Sequence, residues 1–320
     1  MASPKAPQLI FGCGGLGHEI SADSAAELLQ TLKAGGVTRL DTAALYPPTD
    51  VGASQRVLGQ TRASAELGFT IDTKVMVSIS GLAGTLEPAK IETSAAQSVK
   101  DLGFSNGGGK INVFYAHAPD VATPLADQAA AFDAQYKKGI FKQLGLCNFP
   151  APMLEEYIAI CEREGYIKPS VYQGLYNLID RRHEGAVMDL VRQHNMTFVA
   201  HSPHAGGFLH GGLTSGRVEG TRFAAGNIMS MDARRYDTEK HHAAVRAMDK
   251  ALEPHDGLDK TDVAMRWLAF HSRLGPDDAI IFGASKIEQA KRTVAAVTQG
   301  PLPDDIVAAL DEMWMALVAA

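Results

Sequence analysis

The chain has 320 residues, of which 46% are hydrophobic and 21% are charged, and its formal net charge is -6. This composition is typical of a soluble globular protein with a large core. The acidic balance gives no electrostatic footprint for nucleic acid or an anionic membrane surface, and it favours a small neutral or weakly charged ligand.

Short runs of strand-forming residues alternate along the chain with longer segments of helical spacing. In chain order the strand candidates are QLIFG, TRLDT, FTIDTKV, INVFYAH, KQLGLCN, SVYQGL, TFVAHS and AIIFGA. The helical segment SADSAAELLQTLKA starts with Ser21 as a predicted N-cap and ends at Gly35 and Gly36. The segment EPAKIETSAAQSVKDLG has Pro88 early and Gly103 late. These signals predict a repeated strand–helix unit.

Eight such units predict a single (β/α)8 TIM barrel domain over residues 1–320, with a doubly wound open sheet as the rival fold. The rival is disfavoured because no GxGxxG fingerprint with an acidic residue about 20 positions later follows the first strand. The segment FGCGGLGHE has the glycines, but the helix starts later, so these residues are interpreted as a tight turn. A long Gly-rich loop is predicted after the seventh strand. Extra helices are predicted around YDTEKHHAAVRAMDKAL, DKTDVAMRWLAFHSRL and DDIVAALDEMWMALV.

The cysteines and the amino-terminal residues bear on metal binding and localisation. Cys13, Cys147 and Cys161 are widely spaced without a CxxC pair, so neither a disulfide framework nor a thiolate metal site is indicated. No stretch approaches the ~18 apolar residues of a membrane span, and no signal peptide pattern is present at the start. We expect a cytoplasmic protein without a metal, as a monomer or homodimer.

Polar residues stand where the predicted strands end. The carboxyl ends of the strands of such a barrel gather at one face, where active sites lie. The residues at these ends are Asp41, Lys74, His117, Asn148, Gln173 and His201, with Tyr46 in the loop after the second strand. The sequence therefore predicts one site that combines an acid, an ammonium group, a phenol and imidazole.

The phenol of Tyr46 has a chemical role in this set. A tyrosine with a pKa of about 10 is a poor proton donor near neutral pH unless its surroundings change that pKa. The ammonium group of Lys74 would lower the pKa of Tyr46, and Asp41 would keep Lys74 charged and in place. His117 would donate a hydrogen bond to a substrate oxygen or share the proton with Tyr46.

The motifs DTAALY, DTKV and YAHAPD carry Asp41, Tyr46, Lys74 and His117 in an order that resembles the catalytic tetrad of the aldo-keto reductase superfamily. The segments LGLCNF, VYQGLYN, AHSPHAGGFL and IFGASKIEQAKRTVAAV extend the resemblance over nearly the whole chain. YAHAPD, QGLYN and SPHAGGFL are similar to the aflatoxin-aldehyde reductase subfamily, aldo-keto reductase family 7. The resemblance implies NADPH-dependent reduction of a small carbonyl compound, with the proton supplied by the tyrosine.

The resemblance also implies a cofactor site for NADPH or NADP across the barrel mouth. Asn148 and Gln173 would hold the carboxamide, and His201 would stack on the nicotinamide ring. Lys286 and Arg292 would take a 2′-phosphate at the adenosine end. The full implied set is Asp41, Cys147, Asn148, Gln173, His201, Ser202, Pro203, Gly206, Gly207, Arg222, Gly283, Ser285, Lys286, Gln289, Arg292 and Thr293.

Several positions depart from the family pattern. His201 replaces a usual tyrosine, Cys147 a usual serine and Thr293 a usual asparagine, which predicts weaker or pH-dependent cofactor binding. The subfamily recognises a substrate carboxylate through a tyrosine and an arginine in the long loop and an arginine in the tail. Here Arg234 and Arg235 would keep only part of that role, beside Tyr46 and His117. We therefore expect a neutral aldehyde or ketone rather than succinic semialdehyde.

Other interpretations remain open at this point. The pair of Asp41 and Lys74 taken alone is equally consistent with a structural ion pair at a barrel rim. A regulatory protein on the same fold, like the cofactor-binding β subunits of potassium channels, would bind NADPH with incidental catalysis. A Schiff-base lyase or aldolase would use Lys74 as a nucleophile. The occurrence of all four tetrad motifs at matching strand ends favours the reductase.

Overall fold

Parallel strands close into a barrel in which β1 to β8 follow one another in chain order and β8 pairs with β1. The computed structural model of the protein describes residues 5–78, 80–106, 109–219, 221, 223–224 and 233–319. The strands are β1 (Gln8–Gly12), β2 (Arg39–Asp41), β3 (Thr70–Lys74), β4 (Ile111–Ala116), β5 (Phe141–Cys147), β6 (Pro169–Leu175), β7 (Thr197–His201) and β8 (Ala279–Phe282). The predicted (β/α)8 barrel is confirmed, and the open sheet is excluded.

Helices alternate with these strands. They are α1 (Ala22–Ala34), α2 (Ala53–Gln60), α3 (Pro88–Asp101), α4 (Leu125–Lys137), α5 (Ala151–Glu164), α6 (Ala186–Gln193), α7 (Glu239–Leu252), α8 (Lys260–Phe270), α9 (Ile287–Thr298) and α10 (Asp304–Ala319). The end signals operate as predicted. The Ser21 side chain accepts a hydrogen bond from the backbone of Ser24 at 3.2 Å and caps α1, which ends at Gly35. Pro88 lies in the first turn of α3.

Buried side chains form two clusters. The smaller cluster comes from the strands only and consists of Ile10, Val113, Tyr115, Val171, Val199, Ala279 and Ile281. Because side chains alternate between the two faces of a strand, these residues fill the inside of the barrel. The larger cluster lies between the strands and the surrounding helices. Gly145 leaves room inside the barrel, since a Cβ atom there would lie 2.2 Å from Cδ1 of Tyr115.

The connection from β7 to β8 breaks the simple alternation, as the sequence predicted. Its described residues include the short 3₁₀ helices Ala205–His210 and Ala233–Tyr236, which are followed by α7 and α8. The carboxyl-terminal α10 packs against α7. Within the described ranges, no helix has the length and apolar character needed to cross a membrane.

The two tryptophans of the chain attach α10 to the barrel through one arginine. The guanidinium group of Arg181 lies 4.1 Å from the ring centroid of Trp267 on α8 and 4.8 Å from that of Trp314 on α10. Both distances are within the range of a cation–π interaction. We refer to these three residues as the tryptophan clamp.

Candidate active site

A buried ion pair lies at the carboxyl ends of β2 and β3. Nζ of Lys74 donates to Oδ2 of Asp41 at 2.5 Å and to the backbone oxygen of Thr42 at 2.9 Å. The two side chains are 1% and 4% exposed. Burial opposes the charged form of the amine, but the Asp41 carboxylate outweighs it, and the pKa of Lys74 is raised. Lys74 is therefore a fixed positive charge.

The phenol of Tyr46 faces this charge. Nζ of Lys74 lies 5.3 Å from the centroid of the Tyr46 ring. The phenol oxygen lies 3.4 Å from Nε2 of His117, which follows β4, and the two rings meet edge to face. The loop after β2 is held in place where the backbone N–H of Ser54 donates to the backbone oxygen of Tyr46. The acid, ammonium, phenol and imidazole groups predicted from separate motifs thus meet in one place.

His117 is an uncharged member of this group. Burial, and then the charge of Lys74, lower its pKa to about 3, while the Val75 backbone opposes the shift. Its Nδ1 atom forms no hydrogen bond of ordinary geometry with any residue that the structure describes. A neutral imidazole carries one donor and one acceptor nitrogen. His117 can therefore orient an oxygen atom next to Tyr46 without adding a second positive charge.

A hydrogen-bonded chain leads from Asp41 across the barrel mouth. Nε2 of Gln173 donates to Oδ1 of Asp41 at 3.0 Å. The thiol of Cys147 lies 3.8 Å from Oε1 of Gln173, and Nδ2 of Asn148 lies 3.2 Å from the Cys147 sulfur. Burial raises the pKa of Cys147 to about 12, so the group is a thiol that donates to Gln173.

The chain continues to β7 through a neutral histidine. Nε2 of His201 lies 3.3 Å from Oδ1 of Asn148, and Nδ1 lies 3.1 Å from Oγ of Ser202. Burial, and then the charge of Lys74, lower the pKa of His201 to about 3. Oδ1 of Asn148 is only an acceptor, so the proton is assigned to Nε2, and Nδ1 accepts from the Ser202 hydroxyl.

The backbone is unusual at the ends of β5 and β7. Asn148 has φ of 57° and Ser202 has φ of 59°, and both are left-handed non-glycine residues. After Pro203, the left-handed region recurs at Ala205, Gly206 and Gly207, with φ of 50°, 65° and 95°. Such conformations cost free energy in non-glycine residues and concentrate at binding sites. The segment after β7 therefore turns tightly, and its backbone lies at the barrel mouth.

The predicted adenosine end lies at the beginning of α9, after Gly283. Oε1 of Gln289 accepts from the backbone of Ser285 at 3.0 Å and of Lys286 at 3.2 Å, which orders the first turn. Thr293 is buried, and its hydroxyl donates to the backbone of Gln289. These residues follow β8 and therefore share the barrel face on which the tetrad lies.

Arg292 is already engaged in ion pairs. Its guanidinium group contacts Asp262 at 3.0 Å and also pairs with Asp259. Hydrogen bonds to Asp262 contribute most to a raised pKa of Arg292. An anionic ligand would therefore compete with two carboxylates for the Arg292 side chain. Lys286 is the other cation predicted for this end of the site, and it is exposed at the surface.

The remaining predicted residues lie near the mouth or outside the described ranges. Arg234 and Arg235 form part of the 3₁₀ helix Ala233–Tyr236, and both are exposed. The charge of Arg235 contributes to the lowered pKa of His201, so this helix lies close to the site. Arg222 lies outside the residues that the structure describes.

Sequence reasoning missed one residue that shapes the site. Asp120 is 1% exposed and accepts hydrogen bonds from the backbones of Gly84 and Leu86, both at 2.9 Å. It thereby ties the loop after β3 to the loop after β4, on which His117 lies. Burial raises the pKa of Asp120, but these hydrogen bonds and others prevail and lower it. The signal was present in the motif YAHAPD, which ends at this residue.

The described part of the chain contains no group of three or more histidine, cysteine, aspartate or glutamate side chains arranged to hold a metal ion.

Comparison with known proteins agrees with this geometry. Residues 8–315 match the family model described as the Aldo/keto reductase family. An aldo-keto reductase of Pseudocercospora fijiensis is 31% identical over 293 residues, which cover 90% of this chain and 96% of that protein. Aflatoxin B1 aldehyde reductase member 2 of Mus musculus is 30% identical over 322 residues, which cover 98% and 86%. Aldo-keto reductase family 7 member A3 of Homo sapiens is 30% identical over 320 residues, which cover 96% and 94%. The chain belongs to the aldo/keto reductase family and is an oxidoreductase.

Proposed function

We propose that this protein reduces an aldehyde or ketone to an alcohol with NADPH and that Tyr46 donates the proton. One observation carries the proposal. The Lys74 ammonium, held by Asp41 at 2.5 Å, lies 5.3 Å from the Tyr46 ring, and the phenol oxygen lies 3.4 Å from a neutral His117. A proton donor, a charge that stabilises its conjugate base and a group that orients the acceptor are thus adjacent.

Lys74 favours the loss of a proton from Tyr46. When Tyr46 donates its proton, a phenolate forms beside the ammonium group. Opposite charges about 5 Å apart attract by on the order of 3 kcal/mol at the effective dielectric constant of a protein site. Asp41 keeps Lys74 protonated and fixed, so the attraction is present before the reaction starts.

His117 orients the carbonyl group rather than protonating it. With a pKa of about 3 the imidazole is neutral over the physiological range, so it has no labile second proton to give. The neutral ring can donate one hydrogen bond from Nε2 to the carbonyl oxygen. Tyr46 then delivers its proton to the same oxygen.

The residues at the mouth fit a nicotinamide cofactor, which supplies a hydride to the carbonyl carbon when it is bound. His201 offers a half-buried aromatic face that is uncharged, so it does not repel an oxidised, cationic nicotinamide ring. Asn148 and Gln173 place amide groups beside it. Gly206 and Gly207 present backbone without side chains, which suits a pyrophosphate.

NADPH is proposed over NADH because of the beginning of α9. Lys286 is an exposed cation at the N-cap of that helix, where the helix dipole also favours an anion such as a 2′-phosphate. Arg292 would add to this site after exchanging one of its carboxylate partners for the phosphate.

The substrate is proposed to be neutral. Arg234 and Arg235, the cations next to the mouth on the loop after β7, are exposed. An exposed guanidinium group in water contributes little to recognition of a carboxylate. The mouse relative is named as an aldehyde reductase, which supports an aldehyde as the carbonyl compound.

Lys74 is a poor candidate for Schiff-base chemistry. A lysine nucleophile must lose its proton before it attacks a carbonyl group. The Asp41 carboxylate raises the pKa of Lys74, so the amine is held in the protonated form. This charge state supports the reductase over the lyase or aldolase.

The test follows NADPH consumption by absorbance with aromatic, aliphatic and dicarbonyl aldehydes, with succinic semialdehyde and NADH in parallel. We expect turnover of neutral aldehydes and little of the acid. Tyr46→Phe should lower kcat by ~10³-fold or more, while the Kd for NADPH, measured by fluorescence titration, changes by less than about two-fold. Tyr136→Phe, at an exposed position on α4, is the matched control.

Two results would contradict the proposal. Near-normal turnover by the Tyr46→Phe variant would remove Tyr46 as the proton donor. NADPH binding without turnover of any carbonyl compound would indicate a regulatory protein that binds the cofactor on the same fold.

A further inference from the structure

A second ion pair lies inside the barrel directly below the first. Arg39 and Asp72 stand two residues before Asp41 and Lys74 on β2 and β3. Residues two apart in a strand point to the same face, so all four side chains point into the barrel. Nε of Arg39 lies 2.7 Å from Oδ2 of Asp72, and the side chains are 11% and 0% exposed.

The register of the two strands brings the carboxylates together. The Cα atom of Asp41 pairs directly with that of Asp72 across β2 and β3. Lys74 holds Asp41 from the side of the mouth, and Arg39 holds Asp72 from the opposite side, where it also reaches Gln8 at 3.4 Å. From the mouth inward, the charges are the positive Lys74, the negative Asp41 and Asp72 side by side, and the positive Arg39.

Asp72 is held as firmly as Asp41. Its Oδ1 accepts hydrogen bonds from Nδ2 of Asn112 at 2.7 Å and from the backbone of Val113 at 3.2 Å, in addition to the Arg39 contact. A buried carboxylate with three donors keeps a fixed position. Burial raises the pKa of Asp72 and outweighs Arg39 and the other donors, which favour the charged form. Nothing in the proposed reaction uses this carboxylate directly.

Tyr115 lies between the two ion pairs. Nζ of Lys74 lies 5.7 Å from the centroid of its ring. Burial, and then the charge of Asp72, raise the pKa of the Tyr115 phenol. Its hydroxyl forms no hydrogen bond of ordinary geometry with any described residue, although the nearby Gln173 side chain opposes part of this rise in pKa. The ring therefore fills the space between the pairs without adding a charge, and the raised pKa makes Tyr115 a weak proton donor.

We propose that Asp72 and Arg39 are positioning residues of the proposed reductase site, in which Asp72 places a fixed negative charge beside Asp41 and so keeps Tyr46 protonated. This inference rests on the proposed function. The negative charge disfavours a phenolate at Tyr46. The positive charge of Arg39 cancels this effect only in part. Asp72 pairs directly with Asp41 across the two strands, whereas Arg39 stands two residues before Asp41 and is therefore further from the mouth.

The charges around this site are mutually coupled. Burial raises the pKa of Asp72, Arg39 lowers it, and Asp41 raises it again. Interactions between charges are reciprocal, so the charge of Asp72 acts on Asp41 as well. Among the described residues, Lys74 interacts with the titratable groups Asp41, Tyr46, Tyr115, Cys147, Cys13, His117 and His201.

The experiment uses the full chain and three variants, which are Asp72→Asn, the double variant Arg39→Met with Asp72→Asn, and Asp278→Asn as a control. Asp278 is a buried carboxylate that pairs with the partly exposed Arg192. The first readout is the alkaline limb of the pH profile of kcat/KM for carbonyl reduction. The second is the titration of the Tyr46 phenol by NMR in cofactor-free protein labelled with ¹³C at Cζ of tyrosine, assigned with Tyr46→Phe.

We expect Asp72→Asn to lower the midpoint of the alkaline limb and the midpoint of the Tyr46 titration by on the order of 0.5–1 pH unit each, because a negative charge near the phenol has been removed. The double variant should lower them by less, because the positive charge of Arg39 has gone too. The double variant also leaves no uncompensated buried charge, so it carries the test if the single variant does not fold. Asp278→Asn should leave both midpoints within about 0.2 unit, well below the shift expected from a nearby charge.

The inference would be overturned if the variants of Asp72 lost stability but kept or raised the midpoints of the alkaline limb and of the Tyr46 titration. The pair of Arg39 and Asp72 would then have only a structural role. If the wild-type protein reduces no carbonyl compound but the Tyr46 titration moves as expected, the proposed function fails and the effect of Asp72 on Tyr46 stands. The two statements are thus separable.

Discussion

Two ion pairs, each with a buried carboxylate, lie at opposite ends of the barrel. Asp41 and Lys74 lie at the carboxyl ends of β2 and β3, whereas Asp278 lies just before β8 and binds Arg192 of α6. Asp278 is 2% exposed, and besides two contacts of 2.8 and 2.5 Å to the guanidinium group it accepts from the backbones of Phe198 and Gly275. Both of its oxygen atoms are saturated.

The difference between the pairs lies in what surrounds them. Asp278 fixes backbone from two segments, and Arg192 is the titratable side chain to which it is hydrogen-bonded in the part of the chain that the structure describes. Lys74 faces Tyr46 and Cys147, and its charge lowers the pKa of both His117 and His201. A buried ion pair is therefore weak evidence of function by itself, and the groups that its charge reaches are the stronger evidence.

Removing the cation from each pair gives the largest contrast. Lys74→Met should lower kcat/KM for carbonyl reduction by ~10³-fold or more, because the phenolate of Tyr46 loses its counter-charge. Arg192→Met should leave kcat/KM within about three-fold but lower the free energy of unfolding by about 1–3 kcal/mol. That value is below the cost for a fully buried pair because Arg192 is 41% exposed. Steady-state kinetics and urea denaturation measure the two effects.

Equal losses of activity in these two variants would show that any buried ion pair of the barrel is needed for turnover. The contrast between the two ends would then be wrong.

Substitution of a glycine near each ion pair by alanine should give a smaller difference between the two ends of the barrel. A Cβ atom at Gly145 would lie 2.2 Å from the Tyr115 ring, whereas one at Gly275 would lie 3.8 Å from Asp278. Gly145→Ala should cost about 1–3 kcal/mol through overpacking and lower kcat about 10–100-fold, because the displaced Tyr115 ring moves Lys74. Gly275→Ala should change neither quantity appreciably. Wild-type kcat in Gly145→Ala would show that the Tyr115 ring does not support Lys74.

The smallest expected effect is a loss of folding stability in acid, caused by protonation of histidines at the barrel mouth. The pKa of His204, like those of His117 and His201, is about 3, chiefly because of burial. A folded-state pKa below the unfolded value of about 6.5 means that the unfolded chain binds more protons, so stability falls as pH drops below about 6.5 toward about 3. Above about 6.5 these groups contribute no pH dependence.

His204→Gln keeps a donor for the backbone oxygen of Thr261, which lies 3.2 Å from Nε2 in the wild-type protein. The stability lost between about pH 7 and about pH 4.5 should be smaller in this variant by on the order of 1–2 kcal/mol. His18→Gln, at an exposed position, is the control. Denaturation midpoints across this pH range measure the slope, and equal slopes in His204→Gln and wild type would contradict the assignment.

The fold was predictable because its signals are local. Each strand candidate falls on an observed strand, and Ser21 and Pro88 begin the helices that they were predicted to begin. The convergence of Asp41, Tyr46, Lys74 and His117 followed from barrel geometry, since strand ends must meet at one face. Their catalytic roles remain a prediction.

The partners of individual side chains were not predictable in the same way. That Gln173 bonds to Asp41 depends on closure of the barrel across its mouth. That Arg292 is held by Asp259 and Asp262 depends on how α8 packs against α9. The pair of Arg39 and Asp72 had a usable signal, because each stands one alternation before a tetrad residue, but its strand register had to be known first.

The tryptophan clamp has a consequence for spectroscopy. Because Trp267 and Trp314 flank the same guanidinium group, the indole emission of the whole protein arises from one small region between α8 and α10. A change in that emission during denaturation would report the release of the carboxyl-terminal helix. Tyrosine emission, in contrast, would come from residues spread through the barrel, so the two signals together would show whether α10 leaves before the barrel opens.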